Sequence, residues 1–317
     1  MRTLEIAGGG RMPALGLGTW KAAPGVVGEA VREALRIGYR HIDCAAIYGN
    51  EAEIGAALAD ALRAGEVTRD ELWITSKLWC NAHAYDDVAP ALRKTLADLG
   101  LARLDLYLVH WPIAVRRDLV SAKAPGDFIP DSEVTLLDTW RGMEDAVADG
   151  LTRAIGVSNF SVKKLRELAP SARLNPAVNQ VELHPYLQQR ELVAYCHAND
   201  MAVTGYSPLG SSDRPAGMKR EGEPALLDDP VISEVAAHHG ASPAQVLIAW
   251  QLHQGLSVIP KSTHPARLQE NFEARELILD PDDLEEIAAL DLHRRYVDGA
   301  FWALPGGPHT LANLWDE

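Results

Sequence analysis

The apolar positions of this chain switch repeatedly between two periods. Val27, Ala30, Val31, Ala34 and Leu35 recur at helical spacing, and Gly38 follows as a stop signal. Tyr39-Arg40-His41-Ile42-Asp43 then alternates as a short strand does. The same order returns twice. Val88, Leu92, Leu96 and Leu99 line a helix face that ends at Gly100, before the β-rich run Leu104–Val109. Trp140, Met143 and Val147 line another that ends at Gly150, before Ala154-Ile155-Gly156-Val157. Further strands are expected at 14–17, 72–75, 177–181, 202–206 and 256–259, with helical patterns between them. Strands alternating with helices imply a parallel sheet of right-handed βαβ units, and eight such units in a chain of this size imply a closed (β/α)8 barrel rather than an open doubly wound sheet. Residues 112–136, 207–230 and 291–317 lack periodicity and read as long loops and a C-terminal tail. No linker rich in Ser, Gly and Pro divides the chain, so 1–317 is expected to be one barrel domain.

Composition narrows the class of partner. With 30 basic against 44 acidic residues the formal net charge is −14, which disfavours nucleic acid and anionic membrane surfaces and favours a small-molecule partner. The three cysteines Cys44, Cys80 and Cys196 have no CxxC spacing, so neither a disulfide framework nor a zinc knuckle is expected. The amino end has no apolar leader and no apolar run reaches 18 residues, so a soluble, cytoplasmic protein is expected. The sequon Asn159-Phe160-Ser161 then carries no glycan.

Several familiar signatures fail. Gly16-Leu17-Gly18 begins like a dinucleotide fingerprint, but Lys21 stands where the third glycine belongs. Gly205-Tyr206-Ser207-Pro208-Leu209 and Gly156-Val157-Ser158-Asn159-Phe160 both lack the last glycine of a nucleophile elbow. His238-His239 has no HExxH spacing and reads as a solvated pair, so no metal is expected.

In a barrel the chemistry sits on loops leaving the carboxyl ends of strands. Those loops carry Asp43 and Tyr48, then Lys77, then His110. Singly, each is as well explained by solvation or packing. Together they make a proton-transfer set. A phenol is a poor acid near its ordinary pKa of ~10, and an adjacent ammonium pulls that value down. Lys77 is expected to supply the charge, with Asp43 as its counter-ion, and a neutral His110 can donate a hydrogen bond to a carbonyl oxygen.

The separated segments Gly16-Leu17-Gly18-Thr19-Trp20, Gly38–Asp43 with Ala46–Glu51, Leu106–Pro112, Ile155–Phe160, Asn179–Pro185 and Ile259–Ser262 resemble the aldo-keto reductase superfamily, within it the aldose, aldehyde and xylose reductase branch. The likeness runs in order from about residue 3 to 290. It implies a (β/α)8 barrel whose base is closed by an N-terminal hairpin, here over residues 3–13 around Gly8-Gly9-Gly10. It also implies NADPH/NADP+ bound without a Rossmann domain. By that resemblance Tyr48 is the proton donor, Lys77 and Asp43 tune it, and His110 orients the carbonyl. Ser158, Asn159 and Gln180 hold the nicotinamide carboxamide, and Tyr206 stacks on its ring. Ser207, Leu209 and Ser211 follow the pyrophosphate. Lys261, Ser262 and Arg267 receive the 2′-phosphate, with Glu270 and Asn271 near the adenine. Thr19, Trp20 and Lys21 approach cofactor and substrate. His264 departs from the small polar residue many relatives carry there, and the tail from Leu292 transfers no substrate contacts.

The expected activity is NADPH-dependent reduction of aldehydes, with ketones or aldoses as further substrates. The alternatives are a non-catalytic barrel that senses redox state or serves a structural role, and a phosphate-handling barrel enzyme without nicotinamide. Trp20, Trp79, Trp111 and Phe128, with the apolar Ile47 beside Tyr48, are expected to wall an apolar substrate cleft suited to hydrophobic or aromatic aldehydes. A monomer is expected.

Overall fold

The computed structural model describes residues 2–317, leaving Met1 of the amino-terminal stretch outside it. A hairpin comes first, β1 (Thr3–Glu5) and β2 (Arg11–Pro13), paired antiparallel. Gly8, Gly9 and Gly10 all take positive φ at its tip, a conformation that costs residues with a Cβ. Eight strands follow: β3 (Leu17–Gly18), β4 (His41–Asp43), β5 (Trp73–Leu78), β6 (Leu104–Val109), β7 (Thr152–Ser158), β8 (Val178–Glu182), β9 (Ala202–Tyr206) and β10 (Ser257–Val258). Each pairs in parallel with the next in chain order. The circle closes between the first and last: Leu15 bridges Val258 in parallel, Val258 N–H donates to Ala14 O at 2.7 Å, and Gly18 N–H donates to Pro260 O at 3.0 Å. A Cβ on Gly18 would lie 2.8 Å from the carbonyl oxygen of Ile259, so this seam requires glycine.

All residues of β5 and β6 are buried, as expected where helices cover one face of a parallel sheet and side chains fill the other. The helices α1 (Val27–Ile37), α2 (Glu51–Ala64), α3 (Tyr85–Leu99), α4 (Leu136–Ala148), α5 (Val162–Leu168), α6 (Arg190–Ala198), α7 (Pro230–His238), α8 (Pro243–His253) and α9 (Pro265–Glu273) pack outside, and α10 (Pro281–Ala288) follows. Glycine ends the first three, with Gly38, Gly65 and Gly100 donating back to the last turn. Ile6 and Met12 from the hairpin pack on Trp73, Leu106, Ala154 and Val178 and close the barrel base.

The tail departs from the unstructured reading. It contains α11 (Leu311–Trp315) and buries Trp302 and Trp315 against Trp111, Ile113 and Phe128. Burial of these indoles accounts for its order, and no 3.6-residue pattern announces it because one packed turn suffices. Among the described residues no helix is long and apolar enough to cross a membrane.

Candidate active site

At the carboxyl ends of the strands lies a cavity of about 850 Å³. Its floor is built from consecutive strand ends. Asp43 closes β4, and one carboxylate oxygen accepts from Gln180 Nε2 at 2.7 Å while the other pairs with the Lys77 ammonium. Lys77 Nζ also donates to the carbonyl of Cys44 at 2.8 Å and lies 5.3 Å from the Tyr48 ring centre. Lys77 is 1% exposed and stands behind the cavity wall, whereas Asp43, Tyr48 and His110 face the cavity. The Tyr48 and His110 rings meet edge-on with centroids 5.9 Å apart.

Burial dominates the electrostatics at this end. Burial pushes the Tyr48 phenol well above its ordinary value, and the Asp43 carboxylate and the Cys44 thiol add to that. The Lys77 ammonium, held by Asp43 and the Cys44 carbonyl beside the ring, favours the phenolate, but burial outweighs it. Tyr48 is therefore a firmly protonated phenol. His110 moves the other way: burial holds its pKa well below the usual imidazole range, and the positive charge of Lys77 and the nearby His83 add to this. Its ring is neutral at physiological pH.

From this end a row of polar groups runs along the cavity. Ser158 Oγ donates to Gln180 O at 2.8 Å, Asn159 Nδ2 to His110 O at 2.9 Å, and Tyr206 OH to Asn159 Oδ1 at 2.7 Å. Thr19 Oγ1 donates to Asp43 O at 2.7 Å, and Trp20 lies beside it on the cavity wall. Ser207, Leu209 and Ser211 border the middle. Lys21, Asn159, Ser207 and Ser211 all have φ between 48° and 64°, so four non-glycine residues around one cavity hold a costly backbone conformation. The far end is formed by Lys261 and Ser262 of the loop after β10, by His264 and Arg267 at the start of α9, and by Glu270 and Asn271 further along that helix. Every residue expected to contact a cofactor borders this one cavity.

Four further residues there were not assigned to the site from the sequence. Asp213, on the loop after β9, accepts from Lys21 Nζ at 2.5 Å and from Lys261 Nζ at 3.4 Å. Val297 and Phe301 from the tail, and Met218 from the β9 loop, complete the apolar wall with Trp20, Ile47, Trp79 and Trp111. No local signal marks them, since they lie in aperiodic segments far along the chain. Phe128 does not face the cavity: it is buried behind the wall, its ring 6.4 Å from Trp302 and 4.8 Å from His309. The bridge between Val115 and Phe128 turns it inward.

Glu182, at the end of β8, ties the tail to the barrel. Its fully buried carboxylate accepts from Tyr296 N–H at 2.7 Å, Val297 N–H at 2.8 Å and His184 Nε2 at 2.9 Å.

Residues 14–292 match the model of the aldo/keto reductase family. An aldo/keto reductase of Synechocystis sp. is 55% identical over 317 residues, covering 100% of this chain and 97% of that protein, so the likeness includes the tail. Aldo-keto reductase family 1 member A1 of Bos taurus is 49% identical over 291 residues, 91% of this chain and 89% of that protein. The solved aldose reductase of Schistosoma japonicum superposes with a TM-score of 0.87 at 36% identity, covering 96% of each chain.

Proposed function

The chain belongs to the aldo/keto reductase family of carbonyl-reducing enzymes, and from that premise we propose that it reduces aldehydes to alcohols with NADPH, Tyr48 giving the proton. The observation that carries this reading is the pairing, within one cavity, of the Tyr48 phenol and the His110 imidazole at one end with Lys261 and Arg267 at the other. The cavity suits a nicotinamide dinucleotide: buried amides and hydroxyls of Ser158, Asn159 and Gln180 lie beside the Tyr206 ring, and a basic helix start lies at the far end. When bound, the nicotinamide supplies a hydride to the carbonyl carbon.

The chain's own residues do the rest. His110, as a neutral donor, holds the carbonyl oxygen at the phenol. Tyr48 keeps its proton at the hydroxyl until negative charge grows on that oxygen, and then transfers it. The Lys77 ammonium, fixed by Asp43, then opposes the charge left on the phenolate. Ser158, Asn159 and Gln180 would hold the carboxamide and Tyr206 the ring face; Ser207, Leu209 and Ser211 would border the pyrophosphate. Lys261, Ser262 and Arg267 would take the 2′-phosphate, with Glu270 and Asn271 at the adenine. Trp20, Ile47, Trp79 and Trp111 would form an apolar substrate wall favouring hydrophobic or aromatic aldehydes. We read residues 1–317 as one catalytic domain, its tail contributing Val297 and Phe301 to that wall.

The test is NADPH oxidation with an aromatic aldehyde, in wild type and Tyr48→Phe. Wild-type turnover with a kcat lowered about 10² to 10⁴ in the variant, and little change in NADPH affinity, is expected. Absence of NADPH-dependent reduction across an aldehyde panel refutes the activity, and near-wild-type turnover in the variant refutes the donor.

A further inference from the structure

Outside the cavity, the fold gathers a second group of side chains that the reduction does not use. His238 closes α7 and His239 caps it, while Asp280 caps α10 and Asp283 lies in its first turn. One donor atom from each of these residues lies within 4.8 Å of every other. The two histidines come from one helix and the two carboxylates from another, so no spacing in the chain announces the set.

The oxygens of the carboxylates are differently occupied. Asp280 Oδ1 accepts from the backbone N–H groups of Asp282 and Asp283 at 2.9 and 3.0 Å, and Asp283 Oδ2 accepts from Asp280 N–H at 2.8 Å. This capping box fixes both carboxylates in place. Asp280 Oδ2 and Asp283 Oδ1 take no part in those bonds. His238 Nδ1 is 3.7 Å from Asp283 Oδ1, and His239 Nε2 is 2.6 Å from Asp283 Oδ2. Metal–ligand bonds of about 2.0–2.2 Å in a tetrahedron put neighbouring donors roughly 3.3–3.6 Å apart, close to the spacing of His238 and Asp283. The Asp283 side chain is 6% exposed and His239 18%, while His238 at 65% is free to swing onto an ion.

We propose that His238, His239, Asp280 and Asp283 form a binding site for a divalent transition metal of the zinc class, which fastens α7 to α10. Two imidazoles with two carboxylates neutralise a dication and suit zinc better than magnesium or calcium, which take mainly oxygen ligands. Ligation through His239 Nε2 requires the tautomer with its proton on Nδ1, so the metal replaces the His239–Asp283 hydrogen bond. The site also lies three residues before Ser242, which with Pro243 and Ala244 borders the large cavity. Holding the end of α7 therefore steadies the turn that leads into that rim.

The experiment is calorimetric titration of zinc into chelator-treated full-length protein, with thermal unfolding at matched zinc, for wild type, His238→Ala, His239→Ala and the double variant. Wild type is expected to bind one equivalent, each single variant about tenfold or more weakly, and magnesium not at all. Zinc in large excess over its Kd is expected to raise the wild-type Tm by about 2 °C or more and to leave the double variant unmoved. His238→Ala alters an exposed side chain, and its Tm without metal reports whether the fold is intact. The proposal is overturned if the double variant binds zinc as wild type does, or if wild type shows neither heat nor a Tm change at millimolar zinc.

Discussion

Replacing Glu182 by Gln tests how the tail and the active site are joined. The side chain keeps its size, but one of its two oxygens becomes an NH2 group. Three N–H donors, from Tyr296, Val297 and His184, now converge on that carboxylate. The amide oxygen can serve the donors on one side only, and the other side is left with N–H facing N–H in a fully buried place. A buried donor without a partner costs about 1–3 kcal/mol, and the bonds that survive lose their charge assistance, so a total near 2–5 kcal/mol is expected. If the cost falls on global stability, Tm drops by roughly 4–10 °C at about 2 °C per kcal/mol. If the tail detaches locally instead, Val297 and Phe301 leave the apolar wall while the strand-end groups stay in place. The assay therefore pairs thermal unfolding with kcat/KM for a bulky aromatic aldehyde and for a very small one. The bulky substrate is expected to lose about tenfold more than the small one, the worth of one apolar wall contact. A variant with wild-type Tm and a wild-type ratio of the two kcat/KM values refutes the tether.

Three other outcomes follow from the site. The proton-transfer groups are silent over a wide range, because His110 gains a proton only well below 6.5 and Tyr48 loses one only well above 10; kcat/KM should be flat from pH 6.5 to 10, and a limb inside that window attributable to either residue by mutation contradicts it. Trp111→Ala should lower kcat/KM for aromatic aldehydes more than for a very small aldehyde, and equal losses would show that Trp111 only packs the loops against Trp302 and Trp315. Because Lys261 is already partly paired with Asp213, most of the preference for a 2′-phosphate should rest on Arg267; Arg267→Ala should reduce the NADPH-over-NADH ratio of Kd values about tenfold, less than a buried charge-assisted bond would give because Arg267 is exposed, and an equal loss of both cofactors would remove that role.

The chain by itself determined the barrel and much of its rim. Helical stripes ending at Gly38 and Gly100, each followed by a short apolar strand, are local patterns, and parallel βαβ units leave few topologies open to them. Once the strands are known, Asp43, Tyr48, Lys77 and His110 must come to one end, since a residue at a strand's carboxyl end has nowhere else to lie. Three-dimensional packing decided the remainder. Phe128 and Val297 are both apolar residues of aperiodic segments, and only the Val115–Phe128 bridge and the Glu182 bonds turn the first away from the cavity and the second into it. The state of Tyr48 was equally hidden, because the sequence names the charges while their effect depends on distance and burial: the Lys77 ammonium is held by Asp43 and the Cys44 carbonyl, and desolvation outweighs it. His238 and Asp283 are 45 positions apart, and only the packing of α7 against α10 sets their donor atoms 3.7 Å from each other. Local pattern dictates which way each segment folds, whereas contacts between distant segments depend on how the whole chain shares the small volume of its core.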